Sequence, residues 1–133
     1  SSVTKGPEST SSSADALHAA RELALHTGAA VLVTGRTDYS TDGRQVTATE
    51  NGHAMMSRVT GVGCSMGALS AACAAVSPTP LQAAVSTAVL MGIAGEMAFE
   101  QSPFPGSFAV SLLDSLYALS PEDVVRRARF LSL

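Results

Sequence analysis

Apolar and polar positions follow a helical period near the start of the chain and then change to a continuous apolar run. Residues 13–27 carry apolar side chains at i, i+3 and i+4 spacing, which predicts a helix that buries one stripe. Gly28 stands at the C-cap position of that helix. The apolar run at 29–34 is rich in branched residues and ends at Gly35, which predicts a strand buried on both faces, as in a parallel sheet.

The pattern then becomes that of a hairpin around a strong turn signal. Asp42 and Gly43 separate two flanks rich in Thr, Val and Tyr, so residues 36–50 are predicted to form a β-hairpin. A loop extends from there to Gly61, and helical spacing returns after it. Four further helices are predicted, at 63–76, 80–101, 108–119 and from 121 onward. Ser120 is the predicted N-cap of the last helix.

These elements do not complete a sheet by themselves, because a lone buried strand has two unpaired edges. The predicted fold class is α/β, and residues 1–133 are expected to form a single partial domain, the C-terminal part of a larger one. The absence of an initial Met fits this expectation. Hydrophobic residues make up 46% of the chain, which excludes an intrinsically disordered segment.

The two most relevant stretches for targeting are the start of the chain and its longest apolar segment. The first thirteen residues are polar and rich in Ser, with no apolar segment of a secretory signal. Ser12 and Asp15 match a capping box at the start of the first helix. The stretch at 81–99 is apolar but interrupted by Gln, Ser, Thr and Glu, so it predicts a buried helix and no membrane partner.

The charge of the chain narrows the classes of partner, and its cysteines indicate the redox compartment. Eight Lys and Arg against eleven Asp and Glu give a net charge of −3, which argues against a nucleic-acid surface. The basic group at 126–129 is expected at a helix C-terminus, where it complements the helix dipole. Cys64 and Cys73 lie about 13 Å apart along one predicted helix, and a disulfide spans at most about 7 Å between Cα atoms. Reduced thiols and a cytoplasmic location are therefore expected.

The strongest candidate for chemistry is a glycine-rich loop that runs directly into a helix. Gly61 and Gly63 are expected to adopt positive φ and to let a ligand approach the backbone. The amides of residues 61–64 would point outward at the helix N-terminus, which favours anions. Cys64 would lie at the mouth of this site, where a thiolate is favoured and can act as a base. A plain loop-to-helix turn, with Cys64 as a small core residue, is the alternative.

Several segments resemble one enzyme family. The chain is similar to the hydroxyethylthiazole kinase family of the ribokinase-like superfamily in VLVTGRTDYSTDG at 31–43, ENGHAMMSRVTGVGCSMGALSAACAAV at 50–76 and PGSFAVSLLDSLYAL at 105–119. The opening at 5–24 also resembles the family, so the similarity covers nearly the whole chain. It implies the C-terminal half of a ribokinase-like three-layer fold, with a buried strand, a β-hairpin and then helices.

The resemblance also implies an activity and the residues that perform it. The family phosphorylates the hydroxyethyl group of 4-methyl-5-(2-hydroxyethyl)thiazole with ATP and Mg²⁺ in thiamine salvage. By this resemblance Cys64 is the catalytic base, Gly61 contacts the thiazole, and residues 61–64 form the anion hole. Thr34 and Gly35 match the nucleotide-binding position at the end of the buried strand.

The chain departs from the family pattern in one residue and in length. Val62 stands where the family more often has Thr, which removes a hydroxyl from the loop. Family members are about twice as long, so the thiazole-pocket residues and the Mg²⁺ carboxylates are expected upstream, and no residue here is assigned to a metal. The family implies a homotrimer, or pairing of this chain with a missing N-terminal half.

Two other functions stay open at this point. A hydroxymethylpyrimidine-type kinase also uses a glycine loop that ends in Cys, although Asp38 and Tyr39 in the hairpin favour the thiazole. A non-catalytic remnant or interaction module of the same fold is the second alternative. Among the remaining polar residues, His53 is predicted to be a plain loop residue. Glu96 is a carboxylate in an apolar helix, and either a specific role or a helix pair that faces solvent explains it. The methionines at 55, 56 and 66 are predicted to pack in the core.

Overall fold

The computed structural model describes residues 13–133, so the predicted Ser12 cap and the polar start of the chain lie outside the described residues. The elements are α1 (Ser13–Thr27), β1 (Val31–Val33), β2 (Asp38–Thr41), β3 (Val46–Thr49), a 3₁₀ helix (Ala54–Arg58), α2 (Val62–Val76), α3 (Pro80–Gln101), α4 (Pro105–Ala118), α5 (Pro121–Arg127) and β4 (Phe130–Ser132). The predicted α/β class is confirmed, and α1 and α3 have the bounds that the sequence predicts.

The four strands form one antiparallel sheet in the order β1-β2-β3-β4. Strand β1 pairs antiparallel with β2, a neighbour that the sequence does not predict, and it is half-buried within residues 13–133 rather than buried on both faces; a parallel neighbour for its other edge stays a prediction. The cause of the antiparallel pairing is the connection between β1 and β2. Only residues 34–37 join the two strands, whereas a parallel crossover requires a dozen residues or more. Within residues 13–133, the other edge of β1 has no strand partner.

The predicted hairpin is confirmed, and its turn shows why it forms. Oδ1 of Asp42 accepts hydrogen bonds from the N–H groups of Arg44 at 2.9 Å and Gln45 at 2.7 Å. Gly43 adopts φ +91°, and a Cβ there would lie 2.5 Å from Cγ of Leu25 in α1. The hairpin turn therefore packs against α1 through a position where a side chain does not fit.

Strand β4 is the element that the sequence does not reveal. The basic group at 126–129 was expected to end a helix, and Arg126 and Arg127 do lie in the last turn of α5. Arg129 lies beyond the helix, directly before β4, which pairs Phe130 with Thr49 of β3. A three-residue strand is too short for a periodic signal, and its partner lies some 80 residues earlier in the chain.

Helix α3 is the central helix of the molecule and packs against the sheet, α2, α4 and α5. Its length and composition would also suit a membrane span, but most of its apolar side chains are buried inside the protein, as the sequence predicts. Together with α4 it forms the main hydrophobic cluster, Met91, Ala94, Ala98, Phe108 and Leu112. The methionines at 55, 56 and 66 pack against this cluster, which confirms their predicted role.

Candidate active site

Several polar residues lie along the edge of the sheet that is formed by one end of its strands. Because the sheet is antiparallel, β1 and β3 end at the edge where β2 and β4 begin. Thr34 and Gly35 follow β1 at this edge and are exposed. Asp38 begins β2 there, Glu50 follows β3, and Arg129 precedes β4. We call this the Thr34 edge, and the segment that leads to the glycine loop leaves the sheet from it.

The turn after β1 is held by a buried carboxyl group. Gly35 donates its N–H to Oδ1 of Asp38 at 2.9 Å, and Asp38 is only 8% exposed. Burial raises the pKa of Asp38 above its ordinary value of 3.8, and the Gly35 N–H opposes this increase. The Gly35 amide is thus already engaged within the turn. The neighbouring Thr34 side chain is exposed.

We expect Asp38→Asn to change how the stability of the protein depends on pH. A carboxyl whose pKa is raised by folding stabilises the fold fully below its ordinary value, and that stability is lost as pH rises through the raised folded value. The Asn side chain keeps an oxygen acceptor for Gly35 but carries no charge. Between about pH 3 and about pH 8, the urea midpoint of the variant is therefore expected to rise relative to that of the parent.

Asp42→Asn is the matched control, with the opposite sign. The N–H groups of Gln45 and Arg44 lower the pKa of Asp42, so its stabilisation is present above its ordinary value of 3.8 and is lost as pH falls. The midpoint of this variant is expected to fall relative to the parent as pH rises. Shifts in the same direction for both variants would contradict the assignment of opposite environments.

The glycine loop forms the start of α2. Gly61 is the N-cap with φ +98°, and no side chain within residues 13–133 caps this helix. The first intrahelical bond runs from the Ser65 N–H to the Gly61 carbonyl oxygen at 2.9 Å. The amides of Val62, Gly63 and Cys64 precede it and have no helical carbonyl to bind, so they are directed out of the helix end. This arrangement suits a phosphoryl group, with the helix dipole adding to it.

The prediction that Gly63 adopts positive φ is wrong. Gly63 is the second residue of α2 and is absent from the positive-φ glycines among residues 13–133. One left-handed residue, Gly61, is enough to turn the chain into the helix. A Cβ on Gly61 or on Gly63 would meet nothing within 4 Å, so the space over the loop is open on this side of the protein.

The two cysteines differ in environment, and neither forms a disulfide, as predicted. Cys64 is exposed in the first turn of α2, beside the outward amides. Cys73 is buried at 6% exposure on the same helix, as expected for a small core residue. The position of Cys64 is compatible with a thiol that contacts a ligand on the loop, and its role as a base stays a prediction.

His53 lies in the loop that precedes α2, as predicted, but it has a defined place there. Its Nδ1 accepts a hydrogen bond from the N–H of Met55 at 3.1 Å and so caps the 3₁₀ helix. Its ring stacks on Phe99 of α3 with 3.6 Å between ring centroids. An Nδ1 acceptor leaves Nε2 as the protonated nitrogen of the neutral ring. His53 therefore helps to fix the segment between the Thr34 edge and the glycine loop.

Of the two interpretations of Glu96 that the sequence leaves open, the one in which it faces solvent is wrong. Its side chain is 15% exposed, and Oε1 accepts from three donors. These are Nδ2 of Asn51 at 3.1 Å, the N–H of Gly52 at 2.9 Å and Nη2 of Arg129 at 2.5 Å. Two signals for this were available in the sequence. One is a carboxylate in an otherwise apolar helix, and the other is the pair of glycines four residues and one residue before it, which leave the helix surface bare.

The comparisons with known proteins decide the family. A model of the hydroxyethylthiazole kinase family matches residues 1–122. The chain belongs to the hydroxyethylthiazole kinase family. The resemblance that the sequence shows is thus confirmed.

Individual kinases show how much of the family's length is present. A hydroxyethylthiazole kinase from Akkermansia muciniphila is 99% identical over all 133 residues, which make up 49% of that protein. One from Granulibacter bethesdensis is 52% identical over 115 residues, 86% of this chain and 42% of that protein. The solved structure of the hydroxyethylthiazole kinase protein from Pyrococcus horikoshii OT3 superposes with a TM-score of 0.85 at 39% identity, covering 90% of this chain and 47% of that one. The chain therefore spans about half the length of the kinases it matches.

A kinase family implies ATP, with Mg²⁺ as its usual companion. Among residues 13–133, no three His, Cys, Asp or Glu side chains lie close enough together to hold a metal ion. This part of the hydroxyethylthiazole kinase fold therefore does not fit a complete protein site for Mg²⁺, and the ion enters no step derived from these residues. The free amides at the start of α2 do fit the phosphoryl oxygens of a nucleotide.

Proposed function

We propose that the protein containing this chain transfers the γ-phosphoryl group of ATP to the hydroxyethyl group of 4-methyl-5-(2-hydroxyethyl)thiazole, a step of thiamine salvage. The observation that carries the proposal is the start of α2, where three outward amides lie beside an exposed thiol. Membership of the hydroxyethylthiazole kinase family supports the choice of phosphoryl donor and acceptor. The chain supplies the phosphoryl-transfer loop of the proposed enzyme.

The chemistry follows from the geometry of that loop. The alcohol lies against Gly61, with its hydroxyl group near Sγ of Cys64. The Cys64 thiolate accepts the hydroxyl proton while the alcohol oxygen attacks the γ-phosphorus in line with the leaving ADP. The amides of Val62, Gly63 and Cys64 donate hydrogen bonds to the oxygens of the transferring group. Because these donors are fixed by the helix, they need no reorganisation during transfer.

The nucleotide is proposed to extend from this loop toward the Thr34 edge. Thr34 is exposed there, with a hydroxyl group that can contact the nucleotide, and Gly35 leaves room for its close approach. Val62 contributes only its amide, so the absence of a Thr hydroxyl at this position removes no backbone donor. ATP and Mg²⁺ are the proposed cosubstrate and cofactor, and the ligands of the ion are assigned to no residue within 13–133.

The proposed setting of the enzyme follows from composition and family. We propose that residues 1–133 are one partial domain that pairs with the remaining half of the kinase, and that the active form is a homotrimer in the cytoplasm. The net charge of −3 is consistent with partners that are small molecules and copies of the same enzyme. The two free cysteines are consistent with the cytoplasm.

A reconstitution assay tests the proposal. The chain is purified alone and together with a polypeptide that covers the remaining half of the Akkermansia muciniphila kinase. ADP formation and the mass of the product are measured with Mg-ATP and either the thiazole alcohol or hydroxymethylpyrimidine. Turnover of the thiazole alcohol by the pair, and not by the chain alone, is expected. Faster turnover of the pyrimidine would favour the pyrimidine kinase, and no phosphorylated product from the pair would favour a non-catalytic role.

A further inference from the structure

We propose that Glu96 is a positioning residue for the glycine loop, an inference that rests on the proposed phosphoryl transfer. Gly92, Gly95 and Glu96 occur at i, i+3 and i+4 in α3 and therefore lie on one face of the helix. Two glycines bare the backbone of this face, and a carboxylate stands beside them. Together they form a platform, which we call the Gly92–Glu96 platform, for the segment that leads to the glycine loop.

The segment lies directly on the bare helix backbone. A Cβ on Gly92 would come within 2.6 Å of Cβ of Asn51 and within 2.7 Å of its carbonyl carbon and oxygen. At Gly95 the neighbour is the flexible side chain of Met56. At Asn51 the chain therefore lies against the helix at a distance that only a glycine allows, and further along the Met56 side chain packs over Gly95.

The carboxylate then fixes the start of this segment. Oε1 of Glu96 accepts the Gly52 N–H and Nδ2 of Asn51, so both consecutive residues are bound to one atom. Gly52 adopts φ +129°, a conformation that favours glycine, and its N–H donates to Glu96 at 2.9 Å. Hydrogen bonds to a charged acceptor are stronger than those between neutral groups, and the low exposure of Glu96 strengthens them further.

The C-terminal segment holds Asn51 from the opposite side. Asn51 donates from Nδ2 to the carbonyl oxygen of Arg127 at 2.8 Å and accepts at Oδ1 from the Arg129 N–H at 2.7 Å. Two further hydrogen bonds join Glu50 and Arg129. The Glu50 N–H donates to the Arg129 carbonyl oxygen at 2.9 Å, and Nη2 of Arg129 donates to the Glu50 carbonyl oxygen at 3.1 Å. Since Nη2 of Arg129 also binds Glu96, the segment is held between α3 and the start of β4.

Packed side chains connect this anchor to the glycine loop. Between residue 52 and residue 61 the chain forms the 3₁₀ helix, and Met55, Met56, Val59 and Val62 all pack against the main hydrophobic cluster. A displacement at Asn51 is therefore transmitted along packed chain to Gly61. Misplacement of a catalytic group by about 1 Å costs on the order of 100-fold in rate.

The test compares Glu96→Ala with Glu100→Ala in the complete kinase that contains this chain. Glu100 lies one turn further along α3, exposed, and pairs with Arg127 at 2.7 Å and 3.0 Å, so its removal leaves the platform intact. We expect Glu96→Ala to lower kcat by about 30-fold with the KM for ATP within about threefold, because the hydrogen-bond partners of Glu96 are Asn51, Gly52 and Arg129, and not the proposed nucleotide contacts at 34 and 35. Glu100→Ala is expected to keep both constants. Glu96→Gln, whose amide oxygen still accepts from Gly52, is expected to recover most of kcat.

Amide hydrogen exchange separates positioning from unfolding and from a failure of the proposed reaction. In Glu96→Ala the Gly52 amide is expected to exchange at least about tenfold faster, while amides in the middle of α2 keep their rates. A kcat loss that disappears when activity is normalised to the folded fraction, or a kcat within about threefold of Glu100→Ala, overturns the proposal. If the parent enzyme phosphorylates neither alcohol, the proposed function fails. Independently of that result, an unchanged Gly52 exchange rate in Glu96→Ala overturns the role of the Gly92–Glu96 platform.

Discussion

Gly92→Ala is expected to lower the free energy of unfolding by about 3 kcal/mol, because the new methyl group cannot be accommodated. It would lie 2.6 Å from Cβ of Asn51 and 2.7 Å from its carbonyl group. Asn51 cannot withdraw, because Arg127 and Arg129 hold it from the other side. Either the hydrogen bonds of Asn51 break or α3 shifts in the core. Urea denaturation with a two-state analysis measures the change.

Two glycines of the same protein serve as controls. A Cβ on Gly67 in α2 meets nothing, so Gly67→Ala is expected to stabilise the protein by about 0.5–1 kcal/mol through helix propensity. A Cβ on Gly95 meets the Met56 side chain, which can rotate away, so the loss is expected to lie between the other two. An unfolding free energy for Gly92→Ala equal to that of Gly67→Ala would contradict the close contact between Asn51 and α3.

Cys64→Ala is expected to lower kcat by about 100-fold or more while the KM for ATP stays close to that of the parent. General-base catalysis contributes about 10²–10⁴ in rate, and the amides that bind the phosphoryl group are retained in the variant. Cys64→Asp is expected to keep activity, because a carboxylate at the same position can accept the hydroxyl proton. Steady-state kinetics with the thiazole alcohol in the complete kinase provide the measurement.

The buried thiol provides the control for this variant. Cys73→Ala removes a sulfur atom from the same helix but at a core position, so it is expected to affect stability and not kcat per folded molecule. If Cys64→Ala keeps the parental kcat, the thiol is not the base. If Cys64→Asp is as inactive as Cys64→Ala, the role of Cys64 differs from proton transfer.

The parts of the fold that depend on neighbouring residues could be predicted from the sequence. α1 and α3 have their predicted bounds, and the α5 start has the predicted Ser120 cap, completed by a reciprocal bond to Asp123. The hairpin follows from a turn whose bonds run between residues three or fewer apart. The glycine loop was found for the same reason, since a loop and the helix after it are adjacent in the chain.

Contacts between distant residues account for what the sequence could not predict. An apolar run indicates a strand but not its partner, so the antiparallel pairing of β1 was missed. The donors to Glu96 are 45, 44 and 33 residues away in the sequence, and no local pattern relates them. The prediction of a positive φ at Gly63 was wrong because a glycine permits a left-handed conformation without requiring it.

Backbone amide spectra of the ¹⁵N-labelled complete kinase test most directly whether the start of α2 binds the transferring phosphoryl group. The spectra are compared before and after addition of ADP and the phosphorylated thiazole alcohol. The largest shifts are expected at the amides of Val62, Gly63 and Cys64. The Gln82 amide, which Thr79 already caps at the start of α3, is expected to stay unchanged. Unshifted amides at 62–64, in an enzyme that forms the phosphorylated product, would contradict the assignment of this loop.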